Sequence, residues 1–423
     1  MKRLSIFRLL AVTIFSFAIT MISNTLEPAV LGHKVLELVP GQRNTALGFT
    51  TFAGLIVAIL VQPIVGVFSD RTRSRWGRRL PYCAAGIILV AFSLYMIALA
   101  PVFGLVVVGV LLIQLGSNTI QGPWQALIPD LVPEEQRGQA SGLKAMLDIL
   151  AFVVGRLVAG LLVSRYPAWG ETAIIAAVTV PVVILVIALI VTALGAREPP
   201  LPASAMPQQT VRQSLTRAFA VDWGRYPAFG RWFANRTLFW GAFILLNTFL
   251  LFYLIDVVGM VEGTAQSFLG QLSTIIGGAI LLVTLPSGWL ADRFGRKPLT
   301  AASGIIACLG TVALLFARST TSLTLAGLVV GSGIGIFLSG NWALVTDIVP
   351  RGEAARYLGI ANIATAGGSA IARFLGGASI DVLNNLLDST SIGYLIMYGV
   401  AAAAFLLSAV LALSIPVSRP DRK

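Results

Sequence analysis

Charge is what this chain has least of. Asp, Glu, Lys and Arg make up 11% of its 423 residues, where soluble domains carry about 25%. Histidine occurs once, at His33, and cysteine twice, at Cys83 and Cys308, both inside apolar runs. One imidazole and two dispersed thiols argue against a metal cluster or a disulfide framework. No nucleophile–base pair is legible either, so the reading is of a protein that is not an enzyme and uses no metal or other cofactor. What is abundant is apolar surface: 57% of residues are hydrophobic and mean hydropathy is +0.86. At this length that composition accommodates about twelve membrane-spanning helices of roughly 20 residues each.

Apolar runs predict spans at 9–31, 46–68, 80–100, 102–128, 140–163 and 172–194, then at 232–255, 267–290, 299–317, 323–345, 357–380 and 392–415. The first follows Lys2, Arg3 and Arg8 as a signal peptide would. It has no small-x-small cleavage site and runs directly into further spans, so it reads as the first helix. Residues 196–231, with Pro199, Pro200, Pro202 and Pro207, read as an aqueous linker with a short amphipathic piece at 211–220. The chain thus divides into a six-helix bundle over 1–195, a cytoplasmic linker over 196–231 and a second six-helix bundle over 232–423. The formal charge of +12 invites a nucleic-acid reading, but its placement opposes one. With both termini inside, 22 of the 30 Lys and Arg residues fall on the inner side and 4 in outer loops. That asymmetry places the chain in the cytoplasmic (inner) membrane with cytoplasmic termini, in contact with lipid and not nucleic acid.

A charged motif occurs twice. Gly66-Val-Phe-Ser-Asp70-Arg71 leads on to Gly77-Arg78-Arg79, and Gly288-Trp-Leu-Ala-Asp292-Arg293 leads on to Gly295-Arg296-Lys297. The openings lie 222 residues apart; beyond a short insertion at Thr72–Arg75 the offset settles at 217, pairing Asp130 with Asp347, Gly142 with Gly359 and Arg156 with Arg373. One half has therefore been duplicated in parallel, a build found in transporters. Gly66 and Gly288 are expected to let helices approach closely, and Asp70 and Asp292 to bond to the following turn and a nearby arginine. Together with Arg71, Arg78, Asp130, Arg293, Arg296 and Asp347 they form a candidate conformational latch. Arg73, Arg75 and Arg79 read as topology signals alone.

The motif between helices 2 and 3, repeated between 8 and 9, resembles the signature of the major facilitator superfamily. The run from Val61 to Pro81, with Ser74-Arg-Trp-Gly77-Arg-Arg-Leu-Pro81, is similar to the glycoside–pentoside–hexuronide cation symporters and the sucrose–proton symporters. So is Gln121-Gly-Pro-Trp-Gln-Ala-Leu-Ile-Pro-Asp130, although Gln125 stands where sucrose carriers have arginine and Ile120 where melibiose-type carriers have aspartate. The resemblance implies an all-α integral membrane fold, twelve transmembrane helices in two bundles related by a pseudo-two-fold axis. It further implies alternating access around a midplane site.

Polar side chains inside the spans are the candidate ligand groups. Gln114, Asn118, Gln121 and Gln125 lie at i, i+4, i+7 and i+11, one stripe down helix 4, with Trp124 beside them. Amides suit a polyhydroxyl ligand and an indole suits a sugar face; the alternative is interhelical bonding. Asn362, Thr365, Ser369 and Arg373 form a comparable line on helix 11, and Ser16, Thr20, Asn24 and Glu27 on helix 1; Asn247 lies in helix 7. Asp148 is the acid deep inside a span, a candidate for ion coupling with Glu27 and Arg156, or else a local pair with Lys144. Arg156 and Arg373 stand as substrate clamps, an outer gate or a fixed ion pair; Arg236 reads as snorkelling to the inner surface.

These residues together predict a monomeric secondary transporter that moves a small polar solute, a sugar or glycoside, with protons or another monovalent cation. Two alternatives stand beside it. An exporter of apolar compounds would draw on Trp232, Phe233, Phe239, Trp240 and Phe243 of helix 7, and a membrane assembly protein would keep the fold without transport.

Overall fold

A computed structural model describes residues 3–196, 224, 226–348 and 354–416. Twelve long helices account for most of them: α1 (Ile6–Thr25), α2 (Arg43–Arg71), α3 (Leu80–Ala98), α4 (Phe103–Leu131), α5 (Glu134–Val163), α6 (Glu171–Gly195), α7 (Pro227–Asp256), α8 (Glu262–Phe294), α9 (Arg296–Phe316), α10 (Thr320–Ile348), α11 (Ala354–Leu386) and α12 (Ile392–Ser414). No strand occurs among the described residues. Among the described residues, eleven stretches are long and apolar enough to cross a membrane. The expected linker, 196–231, lies outside the described residues over 197–223, as does its amphipathic piece, while its last residues, 227–231, already form the first turn of α7.

Several helices outrun their apolar spans because hydropathy marks the hydrocarbon slab while backbone bonding continues past it. Thus α5 starts at Glu134, six residues before the expected Ala140, and α8 at Glu262 instead of Ser267. The first helix continues through a π-helical turn, Leu26–Val30, into Leu31–Leu38. Ser5 caps α1 by accepting from Arg8 N, and Pro81 and Pro227 sit in the first turns of α3 and α7, where no intrahelical N–H is lost. Gly77 and Gly295, equivalent residues of the duplicated motif, both take positive φ, 88° and 96°. Only glycine turns there without strain.

The chain forms two compact units. The first holds α1–α6 together with Val261–Ser273, the opening turns of α8. In it α1 packs on α5 and α6, and α4 on α2 and α3. The second contains α7, the rest of α8 and α9–α12; there α7 packs on α11 and α12, and α9 on α10 and α12. Outward-facing Leu282, Leu194 and Ile88 are 77%, 73% and 72% exposed, a surface that requires lipid.

Small residues set the helix spacing at equivalent places in the two units. A Cβ on Gly116 (α4) would lie 3.0 Å from Gly86 O (α3), and one on Gly333 (α10) 2.9 Å from Ser303 O (α9). Both residues of the second pair lie 217 positions beyond the first. Gly116→Val and Gly333→Val are each expected to cost about 1–3 kcal/mol through overpacking. A melting temperature in detergent that is unchanged in both variants would mean the helices have room to part.

Candidate functional site

Polar side chains in the first unit gather at several places along its helices. One is built on α1 and α5. Asp148 accepts from Thr20 Oγ1 at 2.8 Å and from Ser16 through a short bond to the same oxygen, Oδ1. Its other oxygen accepts from Lys144 Nζ at 2.8 Å. Ser16 and Thr20 stand one helical turn apart, as do Lys144 and Asp148, so two turns of each helix meet face to face. The ammonium also lies 5.9 Å from the Trp124 ring centre. Asp148 is not sealed off: its side chain is 32% exposed and that of Lys144 31%. Both partners of a charged pair are thus accessible inside an otherwise apolar unit.

Further along, Arg156 is 5% exposed and brings three predicted residues together. Its Nε donates to Asn24 Oδ1 at 3.4 Å, Glu27 acts on it electrostatically, and its guanidinium lies 5.0 Å over Phe152. Nη1 donates to Ser273 Oγ on α8 at 3.2 Å. Asn24 Nδ2 is committed to Thr20 O at 2.8 Å, which leaves its oxygen turned toward the arginine.

The α4 stripe divides by use. Asn118 is buried and bonds back to Gln114, at 2.8 Å to the carbonyl and 3.2 Å to the amide oxygen. Gln125 Oε1 accepts from Gln62 of α2 at 3.4 Å. Gln121 is half-buried and makes no hydrogen bond among the described residues. Trp124 is 1% exposed, with its indole N–H donated to Val12 O at 2.7 Å and its ring tilted against Phe15, so it is packed and not presented.

At the motif end, Asp130 ties the α2–α3 loop to the end of α4. Its Oδ2 accepts from Arg78 Nη2 at 2.7 Å and from Arg79 Nε and Nη2 at 3.0 and 2.5 Å. Arg79, read from sequence as a topology signal, is 3% exposed and also donates to Pro123 O at 3.5 Å. Burial on a carboxylate makes it a structural clamp, and the basic run hid this because its members look alike in sequence. Arg71 closes α2, Arg296 opens α9, and Arg293 is exposed over Trp289. The side chains of Asp70, Asp292, Asp347 and Asn362 lie outside the described residues. A Cβ at Gly66 would meet nothing within 4 Å, and one at Gly288 would sit in ordinary contact, 3.6 Å from Ser339 Oγ. The closer approach is at Gly122, where a Cβ would lie 3.1 Å from Gln62 O.

The second unit holds a network that the sequence reading passed over. Arg236 does not snorkel: it is 7% exposed, donates to Thr365 Oγ1 and Asn341 Oδ1, both at 2.8 Å, and lies over the Trp232 and Trp240 rings. Asn341 in turn donates to Asn235, and Asn235 to Ser408. The repeat would have revealed it, because Thr365 lies 217 residues beyond Asp148 and Arg236 lies 220 beyond Ser16. The hydroxyl–carboxylate contact of the first unit, Ser16 to Asp148, is thus replaced in the second by a guanidinium–hydroxyl contact, Arg236 to Thr365. Asn247 and Arg373 are half-buried on α7 and α11. A cavity of about 340 Å³ near the ends of α1, α4 and α6, lined by Leu4, Arg8 and Leu194 among others, includes none of the predicted residues.

Comparison with known proteins follows this geometry. The family model described as MFS/sugar transport protein matches residues 9–418. The sucrose transport protein of Oryza sativa subsp. japonica is 30% identical over 141 residues, 27% of this chain and 26% of that protein. The general alpha-glucoside permease of Schizosaccharomyces pombe is 28% identical over 137 residues, 28% of this chain and 25% of that protein. These matches span about a quarter of either relative. Among solved structures, the nucleoside transporter NupG superposes with a TM-score of 0.71 at 17% identity, covering 96% of this chain and 98% of that one. A bacterial homologue of the human lysosomal transporter Spinster, inward-facing and unoccupied, gives 0.72 at 15% identity, covering 99% and 100%.

The Asp130 clamp yields a direct test. Arg79→Ala is expected to cost about 1.5–3 kcal/mol, because it removes charged hydrogen bonds to Asp130 that Arg78 replaces only in part. Asp130→Ala combined with it should cost less than the sum of the two single variants. Strict additivity in thermal unfolding would mean that the two residues do not act as a pair.

Proposed function

The chain belongs to the MFS/sugar transport protein family, and on that premise we propose that it is a secondary transporter coupling uptake of a sugar or glycoside to protons. The observation that carries this reading is the accessible Asp148, held by two hydroxyls and one ammonium. A carboxylate so placed can exchange a proton when Lys144 turns away, and Ser16 and Thr20 can turn their hydroxyls to a polyol. Gln121, without a protein partner among the described residues, is the amide best placed to add an acceptor and two donors. Trp124 then acts by fixing α4 on α1 through Val12, and Asn118 by stiffening α4. Arg156 with Asn24 and Glu27, and Arg373, Asn247 and Asn362 in the second half, complete the proposed solute path.

The division into bundles over 1–195 and 232–423 joined by a cytoplasmic linker belongs to this proposal, as do monomeric action, cytoplasmic termini and residence in the inner membrane. The latch is assigned to the motif face, where Asp130 holds Arg78 and Arg79, with Asp70 and Asp292 as its duplicated acids. No chemical conversion of the solute is proposed. The exporter reading gains little support from helix 7, because Phe239 and Trp232 are spent on packing: Phe239 stacks 3.6 Å from Phe337, and Trp232 donates to Asn341 O.

Counterflow in proteoliposomes tests the assignment, with radiolabelled sucrose and maltose as first probes. Wild-type protein is expected to exchange at least one of a panel of mono- and disaccharides. Asp148→Asn should keep exchange but lose proton-driven accumulation about tenfold or more, the scale of charged hydrogen bonds worth ~1.5–3 kcal/mol. Absence of exchange for every sugar would remove the sugar reading. Full accumulation by Asp148→Asn would remove Asp148 from coupling.

A further inference from the structure

The chain's single histidine lies in a cluster that the solute path does not use. His33, on Leu31–Leu38, is 4% exposed, and its Nδ1 lies 2.6 Å from Glu262 Oε1 on the first turn of α8. Its ring packs against Tyr166 with centroids 4.2 Å apart, and Nε2 is buried with no hydrogen-bond partner. One turn along each helix, Gln266 Nε2 donates to Ala29 O at 3.4 Å. The seam continues with backbone against backbone: a Cβ on Gly160 would lie 2.7 Å from Gln266 O, and one on Gly270 3.0 Å from Arg156 O. Arg156 to Ser273 closes it. The opening turns of α8 are thus docked along Leu26–Leu38 and α5 by close packing, one neutral bond, one bond from a guanidinium and the His33–Glu262 pair.

From this juxtaposition we infer that His33–Glu262 is a proton-operated latch, which holds Val261–Ser273 on the first unit when His33 is protonated and releases it when His33 is neutral. The inference rests on the transport reading above and names its regulation.

The charges around the pair fix the sign. On its own helix His33 is followed by Lys34, which bonds Glu37 at 2.9 Å and Glu171 of α6 at 3.4 Å. Tyr166 donates to Glu171 at 3.4 Å. Leu31–Leu38 also packs on α2, α3 and α4, which bring Arg43 and Tyr95 at that end. Burial first, then Glu37, Glu171 and Glu262, push the Tyr166 hydroxyl above its ordinary range, the mark of a negative environment. Three carboxylates, Glu37, Glu171 and Glu262, thus lie about Lys34 and His33. Histidine changes charge between about pH 5 and 8. In mildly acid solution imidazolium and carboxylate form a bond charged on both sides; in alkaline solution the neutral ring keeps only a weaker N–H···O bond. With this end facing outward, an acid exterior keeps Val261–Ser273 seated on the first unit.

Hydrogen–deuterium exchange of residues 261–273, corrected for intrinsic rates and measured without substrate, tests the latch. In wild-type protein, protection is expected to fall about tenfold from pH 5.5 to pH 8, the scale of one charge-assisted bond. His33→Gln and Glu262→Gln should each show low protection at both pH values, whereas Lys34→Gln should keep the pH dependence. Protection independent of pH in wild type overturns the proposal. So does pH dependence that survives in His33→Gln or disappears in Lys34→Gln. Because no sugar is present, failure of the sugar reading leaves this result unaffected.

Discussion

A polar group in hydrocarbon finds its partner inside the protein or costs several kcal/mol, and the rest of this structure depends on that constraint. Backbone groups meet it by forming helices. The few polar side chains meet it by reaching across to the next helix, and those reaches are what index one helix against another. Trp124 fixes α4 on α1, Thr192 donates to Ala11 O to fix α6 on α1, and Asn235 with Ser408 fixes α7 on α12. Gly86, Gly116, Gly304 and Gly333 then set how closely the helices approach. With so few such groups, each is informative about either assembly or ligand handling.

Duplication turns this economy into a comparison. Trp124 of α4 donates to Val12 of α1, while Trp232 of α7 donates to Asn341 of α10. Asn341 lies 217 residues beyond Trp124, so the indole and its acceptor have exchanged helices while the contact has persisted. At the neighbouring position chemistry diverged further, with Ser16–Asp148 in one unit and Arg236–Thr365 in the other. Packing roles survive exchange of donor and acceptor because geometry alone is required. A carboxylate replaced by a hydroxyl changes which partners a position can hold, so the two halves differ there in chemistry as well as in packing.

The helices, the repeat and the family motif were legible because each is written in local runs or fixed offsets. Span ends were less so: nothing in hydropathy says that α5 begins at Glu134, since its first turns are polar. Arg79 looked like Arg73 and Arg75, and only the return of α4 to the loop through Asp130 separates them. Arg236 looked close enough to the surface to snorkel, but its neighbours Asn341 and Thr365 lie more than a hundred residues away. The amide stripe of α4 was visible as a periodicity, whereas its division into bonded Asn118 and open Gln121 depends on side-chain geometry. His33 carried no motif at all, because its partner Glu262 comes from the other copy of the repeat.

That last contact bears on how such a chain arises. The thirteen residues Val261–Ser273 belong to the second repeat by descent and to the first unit by packing. A gene encoding one six-helix repeat would produce a subunit whose Gly160 face stayed bare until another copy lent it the equivalent turns.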